Sequence, residues 1–394
     1  MRLAKSFSRL GTETAFEVLA RARALEAQGR KIVHLEIGEP DFDTPVNIRD
    51  AAKKALDAGF THYGPSAGLP ETRKAVAEYV TKTRGVAYAP EETIIVPGGK
   101  PIIFFTILAL IEPGDEVIYP NPGFPIYESM INYAGGKAVP LPIREELEWD
   151  FDPAEFEKLL TPKTKLVILN SPANPTGGVM SRETMDRVAK ALAKFPDAML
   201  LSDEIYSRIV YEGTHHSLLS YPGMKERSVL LDGFSKTWAM TGWRLGYGVG
   251  PKWLIDAIAK LATNDHSCVA SFSQIAAIEA LNGPQDSVTN MVTEFKRRRD
   301  VIVAGLNALP GITCRTPHAA FYVFPNITGT GMTSKALADA LLASAGVACL
   351  PGTSFGAMGE GYLRFSYANS VENIEKALEA MRLALPKLSA VSAK

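Results

Sequence analysis

Cysteine is scarce in this chain. It has only three, Cys268, Cys314 and Cys349, and no Cys-x-x-Cys pair. The odd number and wide spacing argue against a disulfide framework and a thiolate zinc site, and no metal is expected. Charge of one sign is equally lacking: 42 Lys and Arg face 43 Asp and Glu, for a formal net charge of −1. A nucleic-acid partner is therefore not expected, and no run of like charge marks a tail. Long hydrophobic runs are missing too. The longest, Ile102 to Ile111, is interrupted by Thr106 and is too short to cross a bilayer. Met1 to Phe16 carries basic residues but no apolar stretch of signal-peptide type, so a cytoplasmic setting away from membranes is expected. What is there is bulk. With 394 residues, 46% of them hydrophobic, the chain can bury a large core and is expected to form more than one domain.

Through the middle of the chain, short β-rich runs alternate with helical patterns. Thr93–Val96, Glu116–Tyr119, Lys165–Asn170, Ala198–Ser202 and Val229–Asp232 read as strands. Pro101–Ile111, Phe124–Ala134 and Ser181–Lys194 read as helices. Such alternation predicts an α/β fold with a mostly parallel, doubly wound sheet covered on both faces. The continuous apolar character of Lys165–Leu169 and Met199–Leu201 suits strands buried on both sides. Asn282-Gly283-Pro284 is a turn signal, after which come a long helix, Ser287–Leu309, strands near Phe321–Phe324 and Tyr362–Ser366, and helices near Ser334–Ser344 and Val371–Leu385. Arg297-Arg298-Arg299 is expected on a solvated face of the long helix. Ala15–Gln28 reads as a helix and Ile32–Ile37 as a strand; periodicity alone is compatible with either placement of this first segment. The division expected is a large α/β domain, 46–284, and a smaller α+β domain of 1–45 plus 285–394.

In open parallel sheets, ligands sit beyond the carboxyl ends of the strands, and polar residues gather at those ends here. Gly98-Gly99-Lys100-Pro101 links a strand to a helix whose first turn accommodates Pro101. Its amides are suited to an anion, although such turns are often glycine-rich for steric reasons alone. Asn170-Ser171-Pro172-Ala173-Asn174-Pro175-Thr176-Gly177-Gly178 is ordinary turn chemistry. Asp203 falls at a strand end near the core, where a carboxylate needs a partner, either a helix cap or a cationic ligand atom. Tyr206 follows three residues later. Lys236, flanked by Phe234 and Trp238 directly after a strand, is out of place as a solubilising residue; burial would depress its pKa and make the amine nucleophilic.

Two blocks join these segments: Ser235-Lys236-Thr237 with Gly242-Trp243-Arg244-Leu245-Gly246, and Asn174-Pro175-Thr176-Gly177. Together with Ile37-Gly38-Glu39-Pro40-Asp41-Phe42 and Tyr362-Leu363-Arg364-Phe365-Ser366-Tyr367-Ala368, they span nearly the whole chain. On these residues the chain resembles the fold-type I pyridoxal-phosphate enzymes, specifically class I aminotransferases of the bacterial aspartate-aminotransferase-like subgroup. The resemblance implies that pyridoxal 5′-phosphate is held by Lys236 as a Schiff base, with Asp203 paired to the pyridinium nitrogen, which must stay protonated to act as an electron sink. It implies that Asn174 and Tyr206 hydrogen-bond the phenolic oxygen, and that Phe124 stacks on the ring, where close relatives of aspartate aminotransferase often carry Trp. The phosphate falls to Gly99 and Lys100 amides, Ser235 and Arg244, and to Tyr63 reaching across a subunit interface. A homodimer with shared active sites is thus expected.

By the same resemblance, Arg364 clamps the substrate α-carboxylate in bidentate fashion, assisted by Gly38 and Asn174, and Lys236, Asp203 and Tyr206 carry catalysis. The implied reaction is ping-pong transfer of an amino group from an L-amino acid to a 2-oxo acid such as 2-oxoglutarate. In some relatives the lysine equivalent to Lys100 contacts the distal carboxylate of aspartate or glutamate, which makes a dicarboxylic donor the preferred expectation. The usual motif continues with Gln where this chain has Pro101, however. Phe16, Phe124, Tyr127 and Phe321 would equally suit an aromatic or aliphatic pocket, and a C–S β-lyase uses nearly the same residues.

Overall fold

The alternating pattern resolves into one seven-stranded sheet. The computed structural model describes residues 2–392. Across the sheet the strands run Thr93–Val96, Gly246–Val249, Ser228–Gly233, Met199–Asp203, Thr164–Asn170, Glu116–Asn121 and Lys137–Pro142. All pair in parallel except Gly246–Val249, which is antiparallel to both its neighbours. The five strands expected from sequence are present to within two residues at each end. Two further strands were not expected. Lys137–Pro142 is an edge strand containing Pro140 and Pro142, tolerated there because an edge position need not donate on both sides. Gly246–Val249 is half glycine and carries little β signal.

Both faces of the sheet are covered, which is why its central strands read as unbroken apolar runs. Leu166 and Ile168 face a core built with helices Lys100–Leu110, Ile126–Ala134 and Lys252–Asp265. Their neighbours Val167 and Leu169 face another, built with Pro153–Leu159 and Arg182–Leu192. The period-two alternation is intact, but each side is buried.

A separate core lies around the long helix Asp286–Asn307 and the C-terminal helix Val371–Ser392. Strands Leu363–Ser366 and Tyr322–Val323 pack there, and Leu350–Pro351, antiparallel to the first of them, packs instead in a smaller cluster with Val18 and Trp149. Val33–His34 pairs in parallel with Val347–Ala348, so the strand of the first segment joins the C-terminal part of the chain. The solvated face expected for Arg297–Arg299 holds only for Arg297. Arg298 is buried against Asp41 and Glu294, and Arg299 against Glu212 and Asp300. Each lost its solvent to a carboxylate pair, which three consecutive arginines cannot reveal in sequence. Among the described residues, no helix is long and apolar enough to cross a membrane.

Candidate active site

The carboxyl ends of the central strands open into a cavity of about 510 Å³. Eleven of the twelve residues to which the resemblance assigns a cofactor, substrate or catalytic role line it. Tyr63 does not, and it stands 92% exposed.

Strand register sets the centre of the site. Asn170 and Asp203 are paired across adjacent parallel strands, and Asp203 is level with Leu231 on the next. Asn170 ties the ends together. Its amide donates to the carbonyls of Asp203 (3.0 Å) and Pro172 (3.1 Å), while its Oδ1 accepts from the Asn174 backbone amide (2.9 Å). A turn residue by composition, Asn170 is the fastener between the Asp203 strand and the Asn174 loop. Asp203 itself is buried; its Oδ2 accepts from Tyr127 Oη (2.6 Å) and its Oδ1 from the Ile205 amide (3.2 Å). Burial pushes its carboxyl up to about 6, and the Tyr127 hydrogen bond offsets this only in part. Among the described residues, no side-chain cation bonds it. That is the environment of a carboxylate built to meet a positive charge on a ligand.

Lys236 follows the strand Ser228–Gly233 in the single helical turn Phe234–Thr237. Phe234 anchors that turn against Trp238 and Tyr247, at ring separations of 5.3 and 5.7 Å. Burial lowers the Lys236 ammonium to about 8, with Glu39 working in the opposite direction. Nζ donates to the Gly38 carbonyl and lies 5.8 Å from the centre of the Phe321 ring. Phe321 therefore packs beneath the lysine in the core and is not part of the cavity wall.

Glycine shapes the anion end. Gly98 has φ +84°, and a Cβ there would meet Arg244 Nη2 at 2.2 Å, so the guanidinium lies directly on the bare α-carbon. A Cβ on Gly246 would strike the Gly98 carbonyl carbon at 2.6 Å and the Gly99 nitrogen at 2.8 Å. Arg244 donates Nη1 to the Thr241 carbonyl at 2.7 Å. With Gly99 capping the helix Lys100–Leu110 and Ser235 opening the Lys236 turn, amides, a hydroxyl and a guanidinium converge on one end of the cavity.

Arg364 is buried, and burial lowers its pKa. Nη1 donates to Asn174 Oδ1 (3.1 Å) and Nη2 to the Glu36 carbonyl, while Nε is buried with no partner among the described residues. Tyr322 and Phe355 lie 4.6 and 4.9 Å from the guanidinium carbon and hold its plane. Tyr322 Oη also shares a 2.8 Å hydrogen bond with Tyr206 Oη; burial, followed by this contact, raises the Tyr206 phenol well above its usual value. Gly38 has to be glycine because a Cβ there would meet Tyr322 Oη at 2.1 Å. Phe124 lines the cavity edge-on to Tyr127, with 5.7 Å between ring centres.

Lys100 has a partner that sequence did not supply. Its ammonium pairs with Glu13 and lies 5.7 Å from the Phe124 ring centre. Glu13, Tyr127, Asn170 and Tyr322 all shape the site, yet only Tyr127 had been singled out, and as a wall rather than as the donor to Asp203. Tyr127, Glu13 and Tyr322 meet their partners across 76, 87 and 116 positions and Asn170 meets Asp203 across 33, distances that local spacing does not encode.

The site fits a phosphorylated, cationic-ring aldehyde: a cradle that a Cβ would fill, an unpaired buried carboxylate, and a lysine with a depressed pKa. The comparisons agree. The family model for aminotransferase class I and II matches residues 30–381, and the chain belongs to that family. Aspartate aminotransferase of Pyrococcus horikoshii is 43% identical, covering 94% of this chain and 93% of that protein. Aromatic-amino-acid aminotransferase 2 of Thermococcus litoralis is 40% identical over 91% of this chain and 93% of its own length. The crystal structure of the aspartate aminotransferase from Rhizobium meliloti superposes with a TM-score of 0.94 at 36% identity, covering 98% of this chain and 99% of that one. The protein is a pyridoxal 5′-phosphate-dependent aminotransferase of the aspartate-aminotransferase-like type, with the fold-type I architecture, acting on amino acids and 2-oxo acids.

Proposed function

We propose that the enzyme moves the amino group of L-aspartate, or a similar dicarboxylic amino acid, to 2-oxoglutarate by a ping-pong mechanism. The observation that carries this reading is a cation in the cavity beyond those given to the cofactor and the α-carboxylate. Arg364 accounts for the α-carboxylate common to all amino acids, and Lys100 stands in the same cavity, outside that clamp. The donor's α-carboxylate is held by Arg364, whose buried Nε has a bond left to give. When bound, pyridoxal phosphate supplies the electron sink that stabilises negative charge at the donor Cα. Asp203, with Tyr127 donating to its carboxylate, would hold the ring nitrogen; Asn174 and Tyr206 would hold the phenolic oxygen; the backbone amides of Gly99 and Lys100, with Ser235 and Arg244, would hold the phosphate. Lys236 Nζ, kept neutral over a wider pH range by burial, accepts the Cα proton. Water exclusion is aided by the aromatic wall of Phe16, Phe124 and Phe355.

The exposure of Tyr63 supports a homodimer in which its hydroxyl serves the neighbouring subunit's phosphate. Three free cysteines support the cytoplasmic setting. The sheet and the C-terminal core support the division into 46–284 and 1–45 plus 285–394. A second reading, an aromatic donor, is favoured by one specific contact: Glu13 already neutralises Lys100.

Steady-state kinetics with aspartate and 2-oxoglutarate test the proposal. Parallel double-reciprocal lines are expected, and Lys236→Ala is expected to lower kcat by about 10²–10⁴-fold or more. Intersecting lines would exclude the ping-pong order. If phenylalanine gave a higher kcat/KM than aspartate, the dicarboxylic reading would fall and the aromatic one would stand. A gel-filtration mass of one chain would remove the role given to Tyr63.

A further inference from the structure

At the rim of the cavity, a carboxylate of the protein occupies the cation that a second substrate carboxylate would use. Glu13 is 17% exposed in its side chain, and its one hydrogen-bond partner among the described residues is the Lys100 ammonium. The segment that carries Glu13 is fastened on both sides. Gly11 exchanges two hydrogen bonds with Ser129 Oγ, its amide donating at 2.9 Å and its carbonyl accepting at 3.1 Å. Thr14 Oγ1 donates to Ser354 Oγ at 2.6 Å. Just upstream, Arg9 donates to the carbonyls of Asn132 (2.8 Å) and Tyr133 (3.0 Å). The backbone on either side of Glu13 is therefore fastened at the cavity wall, and opening the pair needs only rotation about the side-chain torsions of Glu13. The Phe124 ring lies within cation–π range of the same ammonium and would keep Lys100 in place if Glu13 left.

We propose that Glu13 is an intramolecular competitor for the Lys100 subsite and so a specificity-determining residue. A donor with one carboxylate leaves the Glu13–Lys100 pair closed and meets an electrically neutral wall flanked by Phe16 and Phe124. A donor with a distal carboxylate must take Lys100 from Glu13, so part of its binding energy is spent in opening the pair. One cavity thereby accepts both chemical classes, and Glu13 sets their ratio. This rests on the reading of Lys100 as the distal-carboxylate group.

The test uses the enzyme loaded with pyridoxal phosphate and two unreactive ligands, succinate and 3-phenylpropionate, with Kd read from the change in the cofactor's absorbance. In Glu13→Gln, succinate is expected to bind about three- to fivefold more tightly, the scale of a partly exposed ion pair. The ratio of the succinate to the 3-phenylpropionate Kd should fall by the same factor, and Glu13→Ala should shift it in the same direction. In Lys100→Met, succinate should bind about tenfold more weakly or worse. If Lys100→Met weakens succinate while neither Glu13 variant tightens it, the competition is overturned and the Lys100 subsite survives. If Lys100→Met leaves succinate unchanged, the subsite itself falls and the competition with it.

Discussion

Asp203 and Glu204 are neighbours at the end of one strand, both buried, and their carboxyls are displaced in opposite directions. Asp203 faces the cavity and is held up at about 6. Glu204 faces away, and although burial acts against it too, His215 and Arg84 outweigh that and hold it down at about 2. The partners make the difference. Glu204 accepts from Arg84 Nε (2.8 Å), Ser202 Oγ (2.9 Å) and Ser217 Oγ (2.6 Å), and lies 2.7 Å from His215 Nε2. Arg84 in turn reaches Asp232 at 2.7 Å, a carboxylate that also receives Ser207. One side of the strand end is thus a charge-paired network, and the other side holds a carboxylate short of a countercharge. A charge-paired network fixes geometry. An unsaturated carboxylate is a binding site waiting for a cation.

The sharpest way to break this comparison is to neutralise each carboxylate in cofactor-free protein and follow urea unfolding. Glu204→Gln is expected to cost about 3–5 kcal/mol, because Arg84 and His215 lose a buried partner. Asp203→Asn should instead stabilise at pH 8, by up to about 3 kcal/mol, because it removes a buried charge without a countercharge. The pH windows differ accordingly. Held above its ordinary 3.8, Asp203 adds stability that is complete at lower pH and lost as pH rises through about 6. Glu204, held below its ordinary 4.5, adds stability present above that value and lost as pH falls towards 2. Destabilisation by both variants at pH 8 would mean that the two sides are not different in kind.

Next in size is Tyr127→Phe, which deletes the one side-chain hydrogen bond to Asp203. About 1.5–3 kcal/mol is expected for a bond to a charged group, read as weaker pyridoxal phosphate binding by equilibrium dialysis; an unchanged Kd would detach Tyr127 from the site. The smallest expected effect is kinetic. Because burial lowers Lys236 to about 8, the rate of reconstitution with pyridoxal phosphate should rise about tenfold per pH unit below that value and level off above it. A profile still climbing at pH 10 would show an ordinary, solvated lysine.

Much of this was legible before any coordinates. The central strands announced themselves because strands buried on both faces must be continuously apolar; the candidate site residues came from the family resemblance, with Asp203 and Lys236 the two charges that already stood out by their position. What sequence withheld was pairing at a distance. Arg298 and Arg299 looked solvated and are buried, because their carboxylates come from other segments. Glu13 carried no signal, since its meaning lies wholly in Lys100, 87 residues away. The strand Gly246–Val249 hid behind its glycines, which are there to let backbones touch and not to favour extension.

That strand has one more consequence. Because it alone runs against its neighbours, its first residue, Gly246, sits level with both Gly233 and Val96, the last residues of the strands on either side. The chain can therefore leave one strand, pass Lys236, turn through Arg244 and return beside the Gly98–Gly99 turn in a dozen residues. The Lys236 amine and the Arg244 guanidinium are thus a single cassette with two fixed ends. An engineer or an evolving lineage that lengthened this connection would move both together, so the gap between them is set by the sheet and not by the side chains.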